Sequence, residues 1–391
     1  MTDWRGRTVI YEPVGRGHRL TYVRYLLEGL GERGIRPIVA LGPRAKAHES
    51  YEVQLGPFRG SFDEHALLDI EGTGVRVFAA RARELAQLIK RHKPERLWYP
   101  NADGVAQVAS IMGRSRLIGF GNCRVTPLVL RGSAAYREPP RTIGHRVADR
   151  VYAGMLRSRL FDRVLLIDRL VEAWCASNGF ADRVRLIPDP LPPAPSVRPA
   201  EARRRLGLDP SGRGFSIVGA LDARKGVDRL VRAFKLLHER GALREDDRLY
   251  MAGRWDDIVR GLIEGEAAPL VERGLIRLNP DYVSEEDLWL WLAAGDVVVA
   301  PYPRHVGPAS IAVRAAALGR PVVGGSFGWL GRLIEDYGIG TAASVDPEGL
   351  ADAMMVMLGR AEGWEPTERS MAYVAGLTVD GFVRGFLDEP A

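Results

Sequence analysis

A chain of 391 residues is long enough for two domains with separate cores, and 46% hydrophobic with 27% charged residues is the composition of a soluble globular protein. The formal net charge of +6 favours an anionic partner such as a nucleotide or acidic lipid, while the lack of zinc-finger spacing or an interleaved basic–aromatic motif argues against nucleic acid. No apolar run reaches membrane-span length, the two cysteines (Cys123 and Cys175) lack metal-type spacing, and MTDWRGRTVIYEP passes from a charged stub into a strand, not a signal peptide, so a cytoplasmic protein is expected.

Thr8 to Glu12 (TVIYE) reads as a first strand, followed by PVGRGH and a helix whose buried stripe is Leu20, Val23, Leu27 and Leu30, stopped by Gly34. A second strand spans Pro37 to Leu41. Gly15 and Gly17 sit where the first strand meets the first helix, the place where an α/β sheet accepts ligands. His18 would begin that helix, either facing the same crevice or serving as a solvated cap. The pattern then predicts a strand at Val75 to Phe78, a helix through Ile89 and a strand from Arg96 to Tyr99. That strand ends in PNADG, which puts Asn101 and Asp103 on a carboxyl-end loop, as site residues or simply as turn formers.

Arg141 to Arg163 is basic, with Ile143, Val147, Val151, Met155 and Leu156 along one helical face. Such a stripe either packs on a core with solvated arginines or lies on an anionic membrane surface; the core-facing reading is preferred. A strand at Val164 to Ile167 and a helix containing Trp174 follow. The proline-rich LIPDPLPPAPSVRP, Leu186 to Pro199, forbids helix and central strand and marks the domain boundary. The expected division is 1–192, 193–365, and a tail 366–391 whose helix near Val374 to Leu387 would cross back to the first domain.

The second half alternates more clearly. Strands are expected at Phe215 to Val218, Leu249 to Ala252, Leu275 to Leu278, Asp296 to Ala300 and Pro321 to Val323, with helices between them, giving a second doubly wound parallel sheet. GALDARKGVDRLVRAF places Arg224 and Lys225 in a loop ahead of a helix with buried Val227, Leu230, Val231, Phe234 and Leu237. After Asp296 to Ala300, the segment from Pro301 supplies Gly307, Pro308 and Ser310 at a helix start, where backbone N–H groups can face a phosphate. Two cations beside that helix terminus would neutralise a diphosphate. No DxD stands on a strand end, and Asp256-Asp257 reads as a helix start, so no metal is expected.

GALDARKGVDRLVRAF (Gly219 to Phe234), RLNPDYVSEEDLWLWLAAGDVVVAPYP, and ALGRPVVGGSFGW with its later GIG resemble, in order, the motifs of the GT-B glycosyltransferases, specifically the large retaining family four. The resemblance covers about Gly214 to Leu358, and the first half only in outline through GRGH and IPDP. It implies two Rossmann-like domains facing each other across a cleft, with the diphosphate-binding Lys at Lys225 and the base held by backbone at Tyr282 and Val283. It also implies retention of configuration. The chain departs from the family in three places. Ala220 replaces an Arg that touches the diphosphate, and Arg224 could compensate. The family's E-x7-E pair falls on Val306 and Arg314; Arg314 cannot accept hydrogen bonds from a ribose, and Val306 offers no polar group.

The expected function is metal-independent transfer of a sugar from a nucleotide-sugar, without a cofactor, to an acceptor hydroxyl of a glycan, lipid-linked or small molecule. Donor residues would be Gly219, Arg224, Lys225, Tyr282, Val283, His305, Gly307, Ser310 and Arg314. Gly15 and Gly17 would form the acceptor or diphosphate loop, with His18, Asn101 and Asp103 as catalytic candidates. Two rivals stand beside this reading: a non-catalytic relative that binds a partner, favoured by the lost Glu positions, and a nucleotide-sugar epimerase, which fold alone does not exclude. Peripheral contact with an acidic inner membrane face rests on the basic segment.

Overall fold

The computed structural model describes residues 7–15, 18–138, 140 and 142–387, the side chain of His18 excepted. The chain folds into two compact units: one holds the described residues up to Pro190 together with those from Thr378 onward, the other is Leu191–Leu377. The expected boundaries were drawn slightly differently, at 192 and 365.

The first unit is built on a seven-stranded sheet of order β3-β2-β1-β4-β5-β6-β7. Its strands are β1 Thr8–Glu12, β2 Ile38–Leu41, β3 Asp63–Ala66, β4 Arg96–Tyr99, β5 Arg124–Val129, β6 Val164–Leu166 and β7 Val184–Leu186. All pairings are parallel. Residues of β1, β2 and β4 are almost all buried, as a parallel sheet covered on both faces requires. Helix His18–Gly31 lays Leu20, Val23, Leu27 and Leu30 into the core, where it meets the final helix, Val379–Leu387. Phe382, Val383, Phe386 and Leu387 join that same core, with Phe382 5.1 Å from the ring of Tyr22 and Phe386 5.7 Å from Trp98.

Three expectations are corrected here. Val75–Phe78 is not a strand but the first turn of the helix Val75–His92; the strand lies earlier, at β3, whose residues are mostly exposed at the sheet edge and so carry no apolar signature. The tail is two helices, Glu368–Ala375 in the second unit and Val379–Leu387 in the first, broken at Gly376–Thr378. The basic helix, Ile143–Arg157, begins at a capping box between Thr142 and His145. Only its second half is core-facing: Met155 and Leu156 are buried, whereas Ile143 and Val147 are 80% and 51% exposed. Arg141 lies outside the described residues. No described helix is long and apolar enough to cross a membrane.

The second unit holds a six-stranded parallel sheet of order β10-β9-β8-β11-β12-β13. Its strands are β8 Gly214–Val218, β9 Arg248–Ala252, β10 Ile276–Asn279, β11 Val297–Ala300, β12 Val322–Gly325 and β13 Gly340–Ala343. Helix Val227–Glu239 buries its whole anticipated stripe. Arg203, on the helix Pro199–Arg205, is 1% exposed and fixes the amino end of the sheet. Its Nη2 donates to Asp296 Oδ2 at 2.6 Å and its Nε to the Ala294 carbonyl at 2.8 Å, while Nη1 reaches the carbonyl of Gly212. A buried guanidinium is tolerable only with partners on every side, which this one has. The structure thus consists of two doubly wound α/β units, with helices on both faces of each sheet.

Candidate functional site

Each sheet has one position where successive connections leave in opposite directions, and there the loops part to leave a crevice at the carboxyl ends of the strands. In the first unit this is between β1 and β4, in the second between β8 and β11. The candidate residues fall on both sides of both switch points.

In the second unit, β8 runs into Gly219, whose φ of +114° is accessible to glycine alone. A Cβ there would stand 3.0 Å from Lys225 Nζ, so the missing side chain is what admits the ammonium. Asp222 shapes the loop by accepting from the Lys225 N–H at 3.2 Å and capping the turn Ala223–Lys225. Gly226, with φ +66°, packs its Cα against Pro301: a Cβ there would lie 2.1 Å from the Pro301 carbonyl oxygen. The loop after β8 is thereby pressed against the loop after β11.

This contact puts Lys225 Nζ 5.8 Å from the centre of the buried Tyr302 ring. Tyr302 lies 5.1 Å from the ring of His305, and His305 Nε2 is 2.9 Å from the Pro308 carbonyl, ahead of the helix Ser310–Ala317. Gly307 takes φ +104° in between. No side chain caps that helix: its N-cap is Ala309, so the amide donors of its first turn are available to a ligand, and Ser310 is exposed beside them. Gly219, Lys225, Tyr302 and His305 are thus neighbours in turn, and the helix beginning at Ser310 follows directly after Pro308 and Ala309.

Lys225 is half-buried, and desolvation holds its ammonium down at about pKa 8 despite the favourable Asp222 carboxylate; Arg224 adds to the lowering. A cation so poorly hydrated gains more from an incoming anion than a surface lysine does. Arg224 behaves differently. Its side chain is 69% exposed and its Nη2 binds Asp222 Oδ2 at 2.6 Å, so it stands at the mouth with its charge partly engaged.

Arg314 is turned toward the neighbouring helix Glu285–Ala294. Its Nη2 donates to Glu285 Oε1 at 2.9 Å and its guanidinium lies 4.6 Å from the centre of the Trp289 ring, while Nη1 is buried with no partner. Tyr282 and Val283 are half-buried just before that helix, at the end of the edge strand β10. They are two strands away from β8, and the helix that follows them meets the Ser310 helix through Arg314, at Glu285 and Trp289. Val306 is half-buried and presents no polar atom. Asp256 caps the helix Asp257–Glu264 by accepting from Val259 N–H at 2.8 Å, the helix-start role expected of it.

In the first unit, Gly15 has φ +57°, and a Cβ on it would strike Ala45 Cβ at 2.3 Å. Gly17 and the side chain of His18 lie outside the described residues; His18 is the first residue of its helix. Asn101 is buried with Nδ2 unpartnered. Asp103 Oδ1 accepts from Arg131 N–H at 3.0 Å, and desolvation raises its pKa against that bond and the charges of Arg131 and Arg19.

Two carboxylates there escaped the sequence reading. Glu12 ends β1 fully buried; Oε1 accepts from Val14 N–H at 2.9 Å and Gly15 N–H at 3.1 Å, and Oε2 has no partner. A Glu closing an otherwise apolar strand was the available signal. Asp168, just past β6, caps the helix Arg169–Ser177 and accepts from Tyr136 Oη; burial raises its pKa too. No sequence pattern marked it. Among the described residues no group of three or more His, Cys, Asp or Glu side chains could hold a metal ion.

Residues 212–360 match the family model described as Glycosyl transferases group 1. Over 195 residues the chain is 31% identical to the D-inositol 3-phosphate glycosyltransferase of Frankia alni, a match covering 44% of this chain and 47% of that protein, about half its length. The structure resembles a sucrose-phosphate synthase from Thermosynechococcus elongatus (TM-score 0.71, 18% identity, 98% of this chain and 97% of that one). It also resembles HepE of Anabaena, solved in complex with UDP and glucose (TM-score 0.68, 13% identity, 98% and 99%). These similarities establish the GT-B type of fold for the chain.

Proposed function

We propose that this chain, whose residues 212–360 form a Glycosyl transferases group 1 domain, moves a sugar from a nucleotide-diphosphate-sugar to an acceptor hydroxyl. The observation that carries the reading is the half-buried Lys225 ammonium set beside Tyr302, at the switch point that also holds an uncapped helix N-terminus. Breaking the bond to a nucleoside diphosphate demands stabilisation of negative charge as it grows on the leaving group. Lys225, poorly hydrated, and the amide donors at Ser310 would meet that demand without a metal or cofactor, since they are fixed before the reaction begins. Arg224 would guide the anion in from the mouth. Support for a nucleotide-sugar donor comes from the UDP held by the HepE relative. Retention of configuration is part of the proposal, as the resemblance to family four implies.

The acceptor falls to the first unit in this reading. Asp103 and Glu12, both carboxylates in desolvated surroundings at the β1–β4 switch point, would orient or deprotonate its hydroxyl, with Gly15, Asn101 and His18 shaping the approach.

One observation favours a non-catalytic reading: Val306 and Arg314 occupy the family's two Glu positions, and Arg314 is already engaged by Glu285. Calorimetric titration with UDP, GDP, ADP, TDP and CMP, without added metal, separates the readings. Clear binding of one nucleotide, followed by slow hydrolysis of its sugar conjugate, is the expected result. No binding by any of them would leave the non-catalytic reading.

A further inference from the structure

A second cation-lined cavity lies in the first unit at the opposite end of the sheet from Gly15 and Asn101. It measures about 850 Å³ and opens beside the residues that precede β1, β4 and β5. Arg7 precedes β1, Lys93 precedes β4 across Pro94 and Glu95, and Arg83 and Lys90 project from the helix Val75–His92. Arg83, Gln87 and Lys90, spaced four and three residues apart, share one helical face and line the cavity together. Five residues of β1, about 16 Å of strand, separate this cavity from the acceptor-side crevice.

Two features distinguish it from an ordinary basic surface. First, its cations are uncompensated. None of Arg7, Arg83, Lys90 and Lys93 makes an ion pair or side-chain hydrogen bond among the described residues, and the sole lining carboxylate, Glu95, lies 3.7 Å from Arg96 instead. Lys90 gains something from the carboxyl end of its helix, but Arg83, two turns earlier, does not. Second, the non-glycine left-handed residues among those described both border this cavity, Lys93 as the C-cap that closes the helix Val75–His92. Lys93 (φ +46°) and Arg116 (φ +57°) are the non-glycine residues with positive φ among those described. Lys93 lines the cavity, and Arg116 launches the loop 117–123 that forms its other wall. Glycine is the cheap residue for such a conformation; holding a lysine or arginine there costs about 1–2 kcal/mol.

The opposite wall is largely apolar: Leu117 (66% exposed), Ile118 and the buried Phe120, with Asn122 beside them. The volume is that of a small-molecule site. We infer that this cavity binds a soluble phosphorylated metabolite, a phosphate monoester or diphosphate on a compact carbon body, at a site separate from sugar transfer. The phosphate oxygens would accept from Arg83, Lys90, Lys93 and Arg7, with the carbon body lying on Leu117 and Ile118.

The test uses inorganic pyrophosphate as probe, titrated calorimetrically into the full chain at 0.15 M salt. Lys225→Ala is the background, so that the site at Gly219–Ser310 does not contribute. Adding R83A and K90A should weaken binding about tenfold or more, while circular dichroism and melting stay those of the background. Matching isotherms in the two proteins, or no pyrophosphate binding in the Lys225→Ala background, overturn the inference. Flotation with phosphatidylcholine–phosphatidic acid vesicles distinguishes the source of the phosphate: vesicle capture that depends on Arg83 and Lys90, without pyrophosphate binding, would replace the soluble metabolite with a lipid headgroup and overturn the assignment as stated.

Discussion

The depressed pKa of Lys225 turns its proposed role into a pH experiment. The ammonium titrates at about 8, pushed down chiefly by desolvation, so it is charged at pH 7 and largely neutral at pH 9.5. A charge-assisted hydrogen bond contributes about 1.5–3 kcal/mol, a factor of roughly ten to a hundred in affinity. A diphosphate anion favours the charged lysine and raises its pKa in the complex, so log Kd should be flat below pH 8. Above it, log Kd should climb by about one unit per pH unit until the lysine of the complex also titrates. Calorimetry with the nucleoside diphosphate that binds best, from pH 7 to 9.5, reads this directly. Lys225→Met should abolish the break and hold Kd near the weak limit throughout. The same shift has a stability consequence of opposite sense. Between pH 8 and 10.5 the unfolded chain holds this proton and the folded chain does not, so the wild-type protein without ligand should gain stability as pH rises through that window. The gain is of order 1–3 kcal/mol, and Lys225→Met should lack it. A wild-type Kd independent of pH across 7–9.5 would refute the placement of Lys225 against the phosphates.

Three further outcomes follow from the geometry. Gly226→Ala forces a Cβ to within 2.1 Å of the Pro301 carbonyl at a left-handed φ; it should cost about 1–3 kcal/mol in a urea melt and weaken diphosphate binding, because it pries the two loops apart. Arg203→Ala strands Asp296 and several carbonyls at the amino end of the second sheet, and should cost about 3–5 kcal/mol in the same melt while leaving the Lys225 pH break in place. Glu12→Gln keeps the oxygen that accepts from Val14 and Gly15, so the fold should be unchanged within about 1 kcal/mol, yet turnover should fall about tenfold or more if Oε2 receives the acceptor. Unaltered kinetics would return Glu12 to a purely structural role.

The pattern of apolar strands and glycine-started helices was enough to place Gly15, Asn101, Asp103, Gly219 and Lys225 at carboxyl-end loops, because βαβ periodicity is local and the position of a loop relative to its strand is fixed by it. What periodicity did not carry was anything set by a partner distant in sequence. The edge strand β3 is mostly exposed and polar, and Pro127 interrupts β5, so neither has the apolar signature of a central strand. Val75–Phe78 is β-branched and aromatic but starts a helix, since the following Ala-, Glu- and Leu-rich residues decide the segment. Arg314 read as a cation lining the donor site; its engagement with Glu285, 29 residues away, depends on how two helices pack. Tyr302, whose ring packs beside the Lys225 ammonium, sits in the same loop as Gly307, yet no spacing rule marks an aromatic residue for that task.

The return of the last helix to the first core has a consequence for how the protein is made. The second unit is an insertion within the first: its two ends are stitched together by a 2.9 Å bond from Leu191 N–H to the Leu377 carbonyl, so it has all its own strands and helices once Leu377 has emerged. The first unit leaves the ribosome earlier but is sealed later, since Phe382, Val383, Phe386 and Leu387 must close over Leu20, Tyr22, Trp98 and Ile187 from the far end of the chain. Until that plug arrives, an apolar slot stays open on a nascent domain otherwise ready to fold, which makes the earlier half the natural client of a chaperone.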